Sequence, residues 1–228
     1  MLNKLKKIFM ADKVIPRGKE WPDERQGVLP EDWQPSEELK PLESEIDNDP
    51  EYLQHSAEAV GFQNRSVQWE LYRIVTSFIP EEKSILDFGC ARGDYKLFYS
   101  DEYKEDINYI GIDLNQNLIN AGLEAYDNKI DIRCENWFSL DDNLKMDWCI
   151  NIRSNNLRYD ANIKESDEEY LKNTIQSMYN HSNEGLIILL DNSIHNPGNI
   201  FNWAHEQFAG VSIDHSFSND LFVLIIYK

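Results

Sequence analysis

Ser84-Ile85-Leu86-Asp87-Phe88-Gly89-Cys90-Ala91-Arg92-Gly93-Asp94 is a short apolar run that ends in an acid and passes into a glycine-bearing loop. About twenty residues further on, Tyr109-Ile110-Gly111-Ile112-Asp113 repeats the run and the terminal acid. The pair predicts strand, tight loop, helix, strand, with Asp113 at the tip of the second strand. That arrangement suits a cofactor containing adenosine. Glycines let backbone approach the ligand closely, and an acid at the second tip can accept from both ribose hydroxyls.

Outward from this core the pattern alternates. Upstream, Asp49-Pro50 reads as an N-cap followed by proline at the first helical position. A second helix is expected over Ser66 to Phe78, with Val67, Leu71, Ile74, Val75 and Phe78 on one face and Pro80 as its stop. The first strand is expected over Ser84 to Phe88. Downstream come a helix over Tyr95 to Ser100, a strand over Tyr109 to Ile112, a helix over Asn115 to Tyr126 and a strand over Ile130 to Cys134. Then follow a strand over Asp147 to Ile152, a helix over Asp167 to Tyr179, a buried strand over Gly185 to Leu190 and a helix over Asn199 to Phe208. Val211 to Phe217 and Leu221 to Tyr227 read as a closing hairpin around Ser218-Asn219-Asp220. The fold class is therefore α/β: a mostly parallel sheet with helices on both faces and one antiparallel strand.

The first fifty residues differ. Six of the eight prolines fall there, and between Glu20 and Glu51 only Arg25 and Lys40 offset the acids. Residues 1–50 are expected to form an extended or disordered acidic arm, and residues 51–228 the folded domain. Trp21 and Trp33 either pack the arm on its own domain or engage a protein partner.

Composition narrows the rest. The 228 residues suffice for one domain plus extra segments, and the net charge of −19 speaks against a bare nucleic-acid duplex as partner. No run of about eighteen apolar residues occurs, so no membrane-spanning helix is expected. The basic, apolar start Met1 to Met10 lacks a continuous apolar stretch and is not read as a secretory signal. Cys90, Cys134 and Cys149 are widely spaced with no Cys-x-x-Cys pair, so reduced thiols, no metal site and a cytoplasmic setting are expected.

With both strand-tip acids and the terminal hairpin in place, residues 52–228 resemble the class I S-adenosylmethionine-dependent methyltransferases, a Rossmann-like fold with a seven-stranded sheet. Ile85 to Gly93 is similar to the family's first motif, Asp-x-Gly-Cys-Gly-x-Gly, except that Ala91 replaces the middle glycine. Gly111-Ile112-Asp113 resembles the second motif. Met146-Asp147-Trp148-Cys149-Ile150 looks like the fourth strand. Ala59-Val60-Gly61-Phe62 and Ser66-Val67-Gln68 look like the leading helices of small bacterial and bacteriophage members. The resemblance implies S-adenosylmethionine as cofactor. Asp87 would take its ammonium, the backbone of Gly89, Cys90, Ala91 and Gly93 would line its methionine and ribose, and Asp113 would hold the ribose. Arg133-Cys134-Glu135-Asn136 falls where the family places a polar residue facing the adenine amine, with Leu114 and Trp137 flanking the ring. Glu135 reads equally as a solvated strand-end carboxylate.

Methyl transfer from a sulfonium needs alignment and exclusion of water more than acid catalysis, because the leaving group is neutral. Acceptor-side candidates lie past strands four and five: Arg153, Asn192 and His195. Arg153 either holds an anionic group or pairs with local acids. His195 is either a base or an ordinary loop histidine. No Asn-Pro-Pro-Tyr follows strand four, which speaks against adenine or glutamine amino methylation, and no Pro-Cys speaks for cytosine C5 methylation. Two functions remain: a methyltransferase acting on an unidentified small-molecule or protein acceptor, or a non-catalytic structural or assembly protein on the same scaffold, such as a virion component. A synthase using the decarboxylated cofactor finds no specific signature.

Overall fold

Ile85–Phe88 forms β1, an interior strand of the sheet with a parallel neighbour on each side. The computed structural model describes residues 55–154 and 167–228. The arm, and the helix start at Asp49-Pro50, lie outside the described residues. In chain order the elements are a single 3-10 turn Glu58–Val60, α1 (Arg65–Thr76), β1, α2 (Asp94–Tyr103), β2 (Tyr109–Asp113), α3 (Gln116–Ala125), β3 (Ile132–Cys134) and β4 (Met146–Ile152). They continue with α4 (Asp167–His181), β5 (Ser182–Asp191), α5 (Pro197–Gln207), β6 (Gly210–Asp214) and β7 (Leu221–Tyr227).

The seven strands pair in the order β3-β2-β1-β4-β5-β7-β6. The first five run parallel, and β7 is antiparallel to both β5 and β6. Asp87 stands opposite Gly111 and Ile150, so the β1 acid has an empty side on one neighbour and an apolar one on the other.

Period-two alternation divides the strand side chains between two cores. Ile85, Ile150, Ile152, Ile187, Leu189, Val223 and Ile225 face α1 and α2, meeting Leu71, Val75 and Phe98. Leu86, Phe88, Ile112, Cys149, Leu186, Ile188 and Leu224 face α4 and α5, meeting Leu171, Ile175, Ile200 and Ala204. Both faces of β5 and β7 are covered, which is why these strands read as unbroken apolar runs.

Three helices begin on asparagine. Asn64 Oδ1 accepts the Val67 amide at 2.9 Å, Asn115 Oδ1 accepts those of Asn117 and Leu118, and Asn196 Oδ1 accepts that of Asn199 at 3.0 Å. Each satisfies donors that the first helical turn leaves open. Pro197 follows Asn196 at the first helical turn of α5, where its fixed φ costs nothing.

Several boundaries differ from expectation for local reasons. β5 begins at Ser182, earlier than its apolar run, because Ser182 pairs with Met146 of β4. β6 stops at Asp214, whose side chain accepts the Ser216 amide at 2.7 Å and turns the chain. Helix α2 runs longer than expected, from Asp94 to Tyr103.

Candidate functional site

The C-terminal ends of β1, β2 and β4 open onto a cleft. Its lining includes Asp87, Gly89, Cys90, Ala91 and Asp113 from the sheet and loop, Ile152 at the end of β4 with Arg153 and Ser154 just past it, Tyr72 of α1, Asp94 of α2 and Leu118 of α3. Val60, Gly61 and Phe62 close it from the segment leading into α1.

The loop 89–93 is shaped by what surrounds it. Gly89 has φ +78°, and a Cβ there would lie 2.2 Å from Ser154 Cβ. No other residue fits. The Ser154 hydroxyl accepts from Asn151 Nδ2 at 2.6 Å and donates to the Phe88 carbonyl at 3.2 Å, tying the β4 end to the loop. Gly93, at φ +83°, is pressed against Ile130 and Ile132 and caps α2. Ala91 takes φ +51°, the left-handed conformation that the missing middle glycine would adopt freely.

Asp113 holds this loop from the side. Its Oδ2 accepts the Ala91 amide and its Oδ1 the Asn115 amide, both at 2.8 Å. It is 2 % exposed, and burial raises its pKa to about 6 against the pull of these amides. Each oxygen keeps acceptor capacity beyond the amide it holds. Asp87 accepts the Tyr109 hydroxyl at 2.8 Å. Burial raises the Asp87 carboxyl to about 7; the Tyr109 bond opposes the rise and the nearby Asp113 charge adds to it. Among the described residues no cation pairs with either acid.

Asp94 is treated differently. Arg92 binds it with Nε and a terminal nitrogen, each at 2.8 Å; Arg65 adds a third bond at 2.8 Å, and Gln68 and Tyr126 donate at 2.9 Å. Burial works against the charge, but these donors, Arg92 first, hold the Asp94 carboxyl below its ordinary pKa. Arg65 also donates to the His55 carbonyl at 2.9 Å, so the same guanidinium anchors the leading segment. The acids of the cleft thus divide into one that is neutralised and two that are not.

Of the expected cofactor residues, Asp87, Gly89, Cys90, Ala91 and Asp113 line the cleft together. Gly93 acts from behind the loop. Leu114 packs half-buried toward the α4–α5 core. Glu135 is half-buried with its amide on the Asp113 carbonyl at 3.1 Å, and Asn136 is exposed with its side chain on the Phe138 amide. Trp137 is 1 % exposed among Phe88, Phe138 and Tyr170 on the opposite side of the sheet, and does not line the cleft. Cys90 is buried, and burial pushes its thiol well above the ordinary pKa, so it sits there as a small apolar group.

Among the acceptor-side candidates only Arg153 reaches the cleft. It is buried, with φ +68°, and burial lowers its pKa while Asp191 opposes the fall. His195 is buried behind Asp191, its amide on the Asp191 carbonyl at 2.9 Å. Asn192 donates to the Asn219 carbonyl at 2.7 Å and ties the β5 end to the β6–β7 turn. Neither lines the cleft. Sequence reading overlooked Tyr72, Asp94 and Leu118 as lining residues, whereas Ser154 falls in the segment after strand four that it did single out. The signal for Tyr72 was present, since it lies one helical turn from Gln68, a polar residue on a face otherwise apolar.

No group of three or more metal-binding side chains gathers among the described residues, and none of their helices is long and apolar enough to cross a membrane.

No family model matches the sequence, and no curated protein does. Solved structures do match the fold. A SAM-dependent methyltransferase from Aquifex aeolicus is similar at TM-score 0.52 and 12% identity, over 80% of this chain and 99% of that one. A ribosomal protein L11 methylase from Lactobacillus delbrueckii subsp. bulgaricus is similar at TM-score 0.52 and 15% identity, over 72% of this chain and 79% of that one. The glycopeptide N-methyltransferase MtfA, complexed with S-adenosyl-L-homocysteine, is similar at TM-score 0.50 and 9% identity, over 70% of this chain and 89% of that one. The fold is the Rossmann-like one of S-adenosylmethionine-dependent methyltransferases.

Proposed function

We propose that this chain is an S-adenosylmethionine-dependent methyltransferase. One observation carries the reading. Two buried carboxylates, Asp87 and Asp113, face one cleft at the tips of adjacent parallel strands, beside a glycine loop and with no cation among the described residues paired to them. Burying an unpaired carboxylate is costly, and a cationic ligand with hydroxyls relieves the cost. The residues present fit that cofactor. Asp87 offers an acceptor for an ammonium, Asp113 retains lone pairs for ribose hydroxyls, and the tight approach of Gly89 to Ser154 leaves a side-chain-free cradle.

When bound, S-adenosylmethionine supplies a methyl group on a positively charged sulfur. The protein's own part is to bind, orient and dry the site. Asp113 fixes the loop and the ribose together. Val60, Phe62, Leu118 and Ile152 give the cleft apolar walls that exclude water. Arg153 is the described cation on the acceptor side and is read as the residue that orients an acceptor carrying a negative or carbonyl oxygen. Solved neighbours include enzymes whose names point to a ribosomal protein and a glycopeptide; for this chain we read the acceptor as an unidentified small molecule or protein. Nothing in the described residues favours the non-catalytic alternative.

The test is calorimetric titration with S-adenosylmethionine and S-adenosylhomocysteine. Wild-type protein is expected to bind both, and Asp87→Asn, which keeps an acceptor for Tyr109, to bind S-adenosylmethionine at least about tenfold more weakly. A folded wild type that binds neither ligand defeats the reading.

A further inference from the structure

The cleft contains a polar donor that the proposed reading leaves unused. Tyr72 of α1 is 6 % exposed and lies on the cleft wall. Its ring is fixed by edge contacts with Phe62, Tyr95 and Phe98, at centroid separations of 5.7, 5.4 and 5.5 Å. Its hydroxyl oxygen accepts from Gln68 Nε2 at 2.9 Å.

That bond cannot be reversed. The Gln68 nitrogen also donates to Asp94 Oδ2 at 2.9 Å, while Gln68 Oε1 accepts from Arg65 at 2.8 Å. Turning the amide over would set its oxygen against a carboxylate and its nitrogen against a guanidinium. Charge on both sides therefore fixes the amide, and the amide fixes the hydroxyl oxygen as an acceptor. The hydroxyl hydrogen must point elsewhere, and none of the described residues accepts it. Burial first, then Asp94 and Asp87, raise the Tyr72 pKa well above its ordinary value, so the hydroxyl keeps its hydrogen at any working pH.

An α-amino acid carries its ammonium and carboxylate on one carbon. A site for it needs an acceptor and a donor side by side. The cleft lining holds such a pair in Asp87 and Tyr72: Tyr72 stands edge-on to Tyr95, Tyr95 stacks on Tyr109, and the Tyr109 hydroxyl donates to Asp87. Arg153, the cation on the lining, lies instead in the field of Asp191.

We propose that Tyr72 donates to the carboxylate at the amino-acid end of S-adenosylmethionine, beside Asp87, which takes the ammonium. The assignment rests on the cofactor reading above and completes it, since that reading gives the carboxylate no partner.

The experiment compares S-adenosylhomocysteine with its decarboxylated analogue, which keeps the ammonium, by calorimetry on wild type, Tyr72→Phe and Arg153→Gln. Phenylalanine preserves the three ring contacts, and Gln68 keeps Asp94 as acceptor, so the variant is expected to fold. Wild type should bind the analogue about tenfold or more weakly than S-adenosylhomocysteine. Tyr72→Phe should bind S-adenosylhomocysteine about tenfold more weakly and no longer distinguish the two ligands. The proposal is overturned if Tyr72→Phe weakens both ligands alike, if it leaves both affinities unchanged, or if Arg153→Gln alone abolishes the discrimination. Wild type that binds neither ligand overturns the cofactor reading, and this proposal with it. Wild type that binds, with discrimination intact in Tyr72→Phe, overturns the proposal alone.

Discussion

Asp87 and Asp113 set the behaviour of the cleft one residue at a time. Both carboxyls have folded-state pKa values above the ordinary aspartate value, about 7 and about 6, chiefly through burial. Between the unfolded pKa, about 4, and those values the folded protein holds more protons than the unfolded chain. The contribution of these groups to stability therefore falls as pH rises across that window. A cationic ligand reverses the preference, because it favours the ionised form. Affinity for S-adenosylmethionine is expected to tighten by at least about tenfold from pH 5.5 to pH 8, and calorimetry at stepped pH checks it; a flat profile would disprove ionisation-linked binding. Ala91 poses a separate question of backbone strain. Its φ of +51° suits glycine, yet its amide serves Asp113. Ala91→Gly keeps the amide and removes the strain, so it is expected to raise unfolding free energy by about 0.5–1 kcal/mol, after the entropic cost of glycine in the unfolded chain. Denaturant melts measure this, and a loss of stability would show that the methyl group packs usefully.

At the scale of elements, the cleft depends on α1 and α2 being joined. Arg73 of α1 grips Glu102 of α2 through two bonds, at 2.9 and 2.7 Å. Asp94 at the start of α2 gathers Arg92, Arg65 and Gln68. Arg92 is fully buried, so removing Asp94 takes away the carboxylate that balances its charge in the interior. Asp94→Ala is expected to cost about 3–5 kcal/mol, read from urea melts, and a cost under about 1 kcal/mol would show that water reaches Arg92 in the folded protein. This joint was not legible in the sequence. Arg92-Gly93-Asp94 reads as loop polarity, and nothing local says that Arg65, almost thirty positions earlier, returns to the same carboxylate. The asparagines show the same limit in another form. Composition alone is silent on their role, whereas at Asn64, Asn115 and Asn196 position makes them helix starts. The strands were legible where burial covers both faces, as in β5, and less so where a polar end is held only by pairing, as at Ser182. Glu135 and Trp137 mark where the reading of the site ran out: short strands and loops place adjacent residues on opposite sides of a sheet, and spacing alone does not say which.

For the whole molecule, two strand tips and a closing hairpin were enough to reach the architecture, because an acid after an apolar run marks a parallel strand's C-terminal edge and the hairpin marks where parallel order ends. What they did not give was the neighbour relations at that end. β7 lies between β5 and β6, pairing from Gly185↔Tyr227 to Asp191↔Leu221 on one side and from Gly210↔Tyr227 to Asp214↔Val223 on the other. During synthesis, this order has a cost in time. Once β5 has left the ribosome its outer edge stays open through the whole of α5 and β6, and β6 itself has no strand to join until β7 emerges. Over that interval Ile187, Ile188, Leu189 and Leu190 lie on an unpaired, uncharged strand edge, the kind of template on which nascent chains associate. A chain halted after Asp214 is accordingly expected to pellet on centrifugation while the full chain stays in the supernatant. A soluble, cooperatively melting halted chain would mean that the first five strands are self-sufficient. β7, the last strand of this sheet in chain order, thus sets when that exposure ends.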